Sequence, residues 1–223
     1  SVLSCGSAFA ADYSLNSGND GYKAATANEA LVFEGETLNI TATGGNTQAY
    51  GLLASGDKSS YTNKGEINLN LAKENAAKFW KTKGMMADNN GTAVNEGTIN
   101  VTNAYGMTVG SSGETNTITN NGTINVSGQG AAMEVAPTGV VETTGTAKGV
   151  ANNNGTINVN SKDAYGIIVA GENGVINQNG TLNAADGAAA ILVQEESGKT
   201  TSGNSIVFGE SSKTHGLINI QSG

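Results

Sequence analysis

One seven-residue pattern recurs from near the start of this chain to near its end, and it limits what the chain can fold into. Its fullest form is Asn153-Asn154-Gly155-Thr156-Ile157-Asn158-Val159. Shorter variants stand at residues 65–69, 97–101, 122–126, 180–184 and 216–220, and Thr37-Leu38-Asn39-Ile40 is the earliest copy. Alternation in a strand would send the Ile and Val positions to one side and Thr and Asn to the other. The Asn-Asn-Gly before it reads as a tight corner, since Gly and Asn tolerate positive φ. One copy buries too little apolar surface to stand alone, so the copies must stack, each completing the core of the next.

The motif glycines Gly65, Gly97, Gly122, Gly155, Gly180 and Gly216 lie 32, 25, 33, 25 and 36 residues apart. Each interval holds a second apolar stretch, such as Tyr105-Gly106-Met107-Thr108-Val109, and a shorter third one, such as Thr117-Ile118-Thr119. Three short strands in a unit of this size predict a right-handed parallel β-helix, an all-β solenoid of about seven turns. Its first inward column would be Leu38, Ile67, Ile99, Ile124, Ile157, Leu182 and Ile218. The outward column would be Asn39, Asn68, Asn100, Asn125, Asn158, Asn183 and Asn219, whose amides can bond to one another along the stack.

Two stretches interrupt the repeat. Residues 71–83, rich in Ala, Lys and Glu, predict a short helix. It carries Phe79 and Trp80, an aromatic pair of the kind that anchors interfaces and so a candidate partner-binding site. Residues 194–215 read as a long polar loop around a third strand at Ser205-Ile206-Val207-Phe208, with His215 in a corner position. At the other end, residues 1–10 are small and apolar, and Ala8-Phe9-Ala10 has the form of a signal cleavage site. They read as a signal-peptide remnant before a head domain of residues 11–223. A lipoprotein-like box at Val2-Leu3-Ser4-Cys5 is the other export reading. Cys5 is the only cysteine, so no intrachain disulfide can form.

The chain carries 11 Lys and no Arg against 19 Asp and Glu, for a net charge of −8. That balance argues against nucleic acid and anionic bilayers as partners. No apolar run is long enough to cross a membrane. The carboxylates are scattered, Glu195-Glu196 reads as a solvated loop, His215 has no nucleophile or acid beside it, and no cysteine or histidine set suits a metal. The sequence therefore predicts no enzyme, no cofactor and no metal site.

The Asn-Asn-Gly-Thr-Ile-Asn-Val units, paired with Ala-Tyr-Gly-Met or Ala-Tyr-Gly-Ile stretches behind a signal-like start, resemble the passenger domains of fusobacterial-type autotransporter adhesins. Within them the chain is most similar to the trimeric, CEACAM-binding kind. The resemblance implies a homotrimer at the bacterial outer membrane, anchored by a region outside this chain, that binds a host receptor of the CEACAM family.

The residues of the second stretch supply a candidate interface of their own. If Leu52 and Ala54 and their equivalents point inward, the positions between them point out. That outward row is Leu53, Met86, Thr108, Glu134, Ile168 and Leu192. Leu53, Met86, Ile168 and Leu192 are large and apolar, and a contiguous apolar row marks a contact, here an oligomer interface. A different class, an ice- or solid-surface-binding protein, is suggested by the outward pairs Thr98/Asn100, Thr123/Asn125, Thr156/Asn158 and Thr181/Asn183, and a polysaccharide-acting β-helix enzyme is the remaining alternative, since such enzymes share this architecture.

Overall fold

The computed structural model describes residues 10–15, 20–42, 49–72, 82–110, 112–135, 148–170, 173–185, 187–194 and 203–220. These residues form 21 strands and no helix, and every strand pair is parallel. Three kinds of strand follow one another along the chain, and each kind stacks on its own. The first kind is β1 (Ala10–Leu15), β4 (Thr37–Ala42), β7 (Glu66–Leu71), the start of β10 (Thr98–Val109), the start of β12 (Thr123–Val135), β14 (Thr156–Val159), β17 (Thr181–Ala184) and β20 (Lys213–His215). The second is β2 (Asp20–Ala25), β5 (Ala49–Ser55), β8 (Thr82–Asp88), the ends of β10 and β12, β15 (Ala164–Ala170), β18 (Ala189–Gln194) and β21 (Leu217–Ile220). The third is β3 (Ala30–Phe33), β6 (Ser60–Asn63), β9 (Thr92–Asn95), β11 (Thr115–Asn120), β13 (Lys148–Asn153), β16 (Val175–Gln178) and β19 (Ser205–Phe208), which make a 7-stranded sheet. The chain is thus the expected parallel β-helix, of seven coils and the first two strands of an eighth.

The inward columns follow the apolar pattern. Leu38, Ile67, Ile99, Ile124, Ile157 and Leu182 stack in register and are fully buried. Leu52, Met85, Met107, Met133, Ile167 and Ile191 do the same in the second strands. Unbranched methionine fills the three middle places without fixing a particular shape.

The last copy of the motif departs from expectation. Lys213-Thr214-His215 is the strand that lies on β17, with Thr214 opposite Leu182 and His215 opposite Asn183. The segment 217–220 instead joins the second strands, where Ile218 continues the column of Ile191. Asn219 therefore falls opposite Leu192, outside the asparagine column, and His215 lies in a strand and not at a corner. Within the stretch 194–215 the third strand expected at Ser205–Phe208 is β19, and β20 is an additional strand. Of the helix expected over 71–83, Leu71 closes β7 and Thr82 and Lys83 open β8; residues 73–81 lie outside the described residues.

The corner glycines have a different cause from the expected one. Gly65, Gly97, Gly122, Gly155 and Gly180 do not have positive φ; among the motif glycines only Gly216 does, at 126°. A Cβ on Gly97 would lie 2.0 Å from the carbonyl oxygen of Gly65, and one on Gly122 2.1 Å from that of Gly97. The contact repeats at Gly155 and Gly180. The coils meet backbone to backbone at this edge, and only a residue without a side chain fits.

Candidate functional site

Two kinds of surface leave the core: an amide-lined edge and the outer face of the second strands. The edge is the more regular. The outward column predicted from the motif is present from Asn39 to Asn183. The Asn68 amide donates to the Asn39 side-chain oxygen at 3.0 Å, and the chain of bonds continues through Asn100, Asn125, Asn158 and Asn183 at 2.8–3.0 Å. Beside it Thr98, Thr123, Thr156 and Thr181 stand in register.

A second amide ladder lies inside the molecule. At the corner before each motif glycine, Asn63, Asn95, Asn120, Asn153 and Gln178 are fully buried. The Asn63 amide donates to Asn95 at 2.8 Å, Asn95 to Asn120, Asn120 to Asn153 and Asn153 to Gln178, each at 2.9 Å. Spare hydrogens reach backbone carbonyls, as from Asn120 to Thr156 at 3.3 Å. The recurring first Asn of Asn-Asn-Gly and Asn-Glu-Gly is the sequence signal for this ladder, although the corner geometry alone would also account for it.

The outer face of the second strands is where the proposed interface residues fall. Register places Leu53, Met86, Thr108, Glu134, Ile168 and Leu192 in one row, as the alternation predicted. Their burial divides them. Leu53 and Met86 are half-buried, whereas Thr108, Glu134, Ile168 and Leu192 are 0%, 2%, 2% and 3% exposed within the single chain. Ile168 and Leu192 pack with Tyr105 and Ala131 in an apolar cluster separate from the core, with Tyr165 against it. A second copy could reach only the half that carries Leu53 and Met86, so Ile168 and Leu192 are withdrawn from the proposed interface. Phe79 and Trp80 lie outside the described residues.

Three polar residues besides Thr108 sit in this outer layer. Lys83, Tyr105 and Glu134 are all almost wholly buried. Register sets Tyr105 beside Lys83, and the Tyr105 hydroxyl donates to the Glu134 carboxylate. Burial, first, and then the Glu134 charge hold the Tyr105 hydroxyl well above the ordinary tyrosine range. The Thr108 hydroxyl, on the same row as Glu134, has no hydrogen-bond partner among the described residues. Neither residue stands out in the sequence: Lys83 falls at the end of the stretch expected to be helical, and Tyr105 opens one of the second apolar stretches. No group of three or more His, Cys, Asp or Glu that could hold a metal occurs among the described residues.

Compared with models of known families, residues 6–141 match the one described as the BigA third pectate lyase-like domain. No curated protein and no solved structure gives a match. The matched stretch takes in β1 to β12, and the same three-strand register runs on through β21.

Proposed function

The chain belongs to the family of the BigA third pectate lyase-like domain, and on that premise we propose that it is a bacterial surface adhesin head. The β-helix is a stiff rod, and its outer wall meets a protein receptor on a host cell. The observation that carries this reading is the in-register outer wall. Six coils present the same Asn column along one line, and the bonds between its amides hold each side chain in place. A wall preorganised in this way loses little side-chain entropy when a partner docks. The reading includes no catalytic step, cofactor or metal.

The receptor class is the CEACAM family, and display is at the outer-membrane surface. The test is binding of the purified chain to a panel of receptor ectodomains that includes CEACAM members. Saturable binding to at least one of them is expected; no binding across the panel defeats the receptor reading.

A homotrimer belongs to the same proposal, with Leu53 and Met86 at its contact. Light scattering at micromolar concentration is expected to give three times the chain mass, and Leu53→Lys with Met86→Lys to give the monomer. A wild-type monomer removes the trimer.

One observation favours a second reading, binding to ice or another ordered solid. Thr98, Thr123, Thr156 and Thr181 and the neighbouring Asn column share one register, at a spacing of about 4.8 Å set by strand pairing. Thermal hysteresis in solution would select it over the adhesin.

A further inference from the structure

Three of the repeat corners carry the dipeptide Asn-Gly: Asn121-Gly122, Asn154-Gly155 and Asn179-Gly180. In an unfolded chain this is the pair most prone to deamidate, because glycine puts no side chain in the way of its own amide nitrogen. That nitrogen gives up its proton, and its electron pair attacks the Cγ of the asparagine. The new N–Cγ bond closes a five-membered succinimide; the Cγ–Nδ2 bond breaks, and Nδ2 takes up a proton and leaves as ammonia. Water then opens the ring to aspartate or, by adding at the other carbonyl, to isoaspartate.

The fold meets this chemistry at two points. The Gly122 amide donates to the Asn95 carbonyl of the coil below at 2.9 Å, that of Gly155 to Asn120 at 2.9 Å and that of Gly180 to Asn153 at 2.8 Å. Each of these carbonyls also accepts the backbone N–H of the corner asparagine, at 2.7–2.8 Å, so the attacking nitrogen is fixed to a neighbouring coil. The side chains are turned along the stack. The Asn154 amide donates to the Asn121 side-chain oxygen and the Asn179 amide to that of Asn154, each at 2.9 Å. Asn121 and Asn154 are exposed and Asn179 is half-buried, so hydrogen bonding and not exclusion of water is what restrains them.

We propose that Asn121, Asn154 and Asn179 are deamidation sites that the fold keeps closed, and that reaction at each requires its corner to part from the coil below. Parting frees the glycine nitrogen and the asparagine side chain together, so modification follows local opening of the stack. The products disfavour closing again. Isoaspartate adds a main-chain carbon next to Gly155, at an edge where even a Cβ on that glycine would lie 2.1 Å from the Gly122 carbonyl oxygen. Aspartate at position 154 sets a carboxylate oxygen where the Asn154 amide donated, facing the Asn121 side-chain oxygen. The modification therefore records an opening and helps to make it permanent.

The experiment holds the full chain at mildly alkaline pH, in native buffer and in denaturant at the same pH, and follows each Asn-Gly site by peptide mapping with mass spectrometry. All three sites are expected to convert in denaturant and to convert about ten-fold or more slowly in the native chain, with amide exchange at Gly122, Gly155 and Gly180 slowed to match. Asn120→Ala removes the inner amide that donates to Asn153, beside the Asn154 corner. It is expected to speed Gly155 exchange and Asn154 conversion together; the wild-type comparison stands without it. The proposal is overturned if the native chain converts as fast as the denatured one, or if the denatured chain does not convert. It is also overturned if the three glycine amides exchange freely in the native chain while the asparagines stay intact, or if Asn120→Ala speeds exchange at Gly155 without conversion at Asn154. Either result would place the restraint elsewhere.

Discussion

Asparagine does two jobs in this molecule, and burial separates them. In the outer column the amides are bonded to one another but partly open to water, so a lost neighbour is replaced by solvent. In the inner ladder no water reaches the gap, and removing one amide orphans its neighbours on both sides. Asn120→Ala leaves the Asn95 donor and the Asn153 acceptor without their side-chain partners. It should cost about 2–4 kcal/mol, while Asn125→Ala should cost about 1 kcal/mol or less. Denaturant unfolding of both variants checks this, and equal losses would mean that the two ladders share one environment. The corner glycines belong to the same edge: the close approach that excludes a Cβ there also brings consecutive inner amides within bonding reach.

The second strands combine an inner apolar face with an outer face that is itself buried over β10, β12, β15 and β18. A strand covered on both sides usually reads as an unbroken apolar run. Here the outer layer keeps Tyr105 and Glu134, joined by a hydrogen bond, with Lys83 of β8 in register beside Tyr105. The raised Tyr105 hydroxyl makes this layer sensitive to alkali. Tyrosine in the unfolded chain ionises near its ordinary value of 10.0, while Tyr105 in the fold holds its proton beyond that. Its contribution is fully present below pH 10, and stability then falls as the pH rises above it. Tyr105→Phe should flatten that alkaline decline, leaving the smaller share due to Tyr61, whose hydroxyl burial also raises. At neutral pH the same variant should lose about 1.5–3 kcal/mol, the worth of a hydrogen bond to a charged group. Thermal melts between neutral pH and pH 11 measure both effects; an unchanged alkaline slope would remove Tyr105 as its source.

As a whole the molecule is a one-dimensional stack in which each coil rests on its two neighbours. A break in the middle therefore leaves two short stacks, each with a newly exposed core. Ile124 lies at the centre of the first inward column and is fully buried between Ile99 and Ile157. Ile124→Asp buries a charge with no partner in that column, a cost of several kcal/mol. Loss of the strand signal in circular dichroism is expected, and a soluble, unperturbed variant would refute the stacking order. The same substitution at Thr214, at the open end of the same column and only half-buried, should be far milder.

Local periodicity was enough to specify the coil. The Gly-x-Ile-Asn pattern repeats with a side-chain period of two, so it assigns Leu38, Ile67, Ile99, Ile124, Ile157 and Leu182 to the core and the Asn column to the outside without reference to any contact. Three matters were settled only by tertiary structure. Which column the last copy joins depends on the free place that the coil below offers, so Ile218 came to lie on Ile191 and not on Leu182. Whether an outward residue is exposed depends on what else the chain lays over it, so Ile168 and Leu192 are buried and Leu53 and Met86 are not. The corner Asn and Gly owe their places to the coil above and below, at distances of 2–3 Å that no sequence spacing encodes.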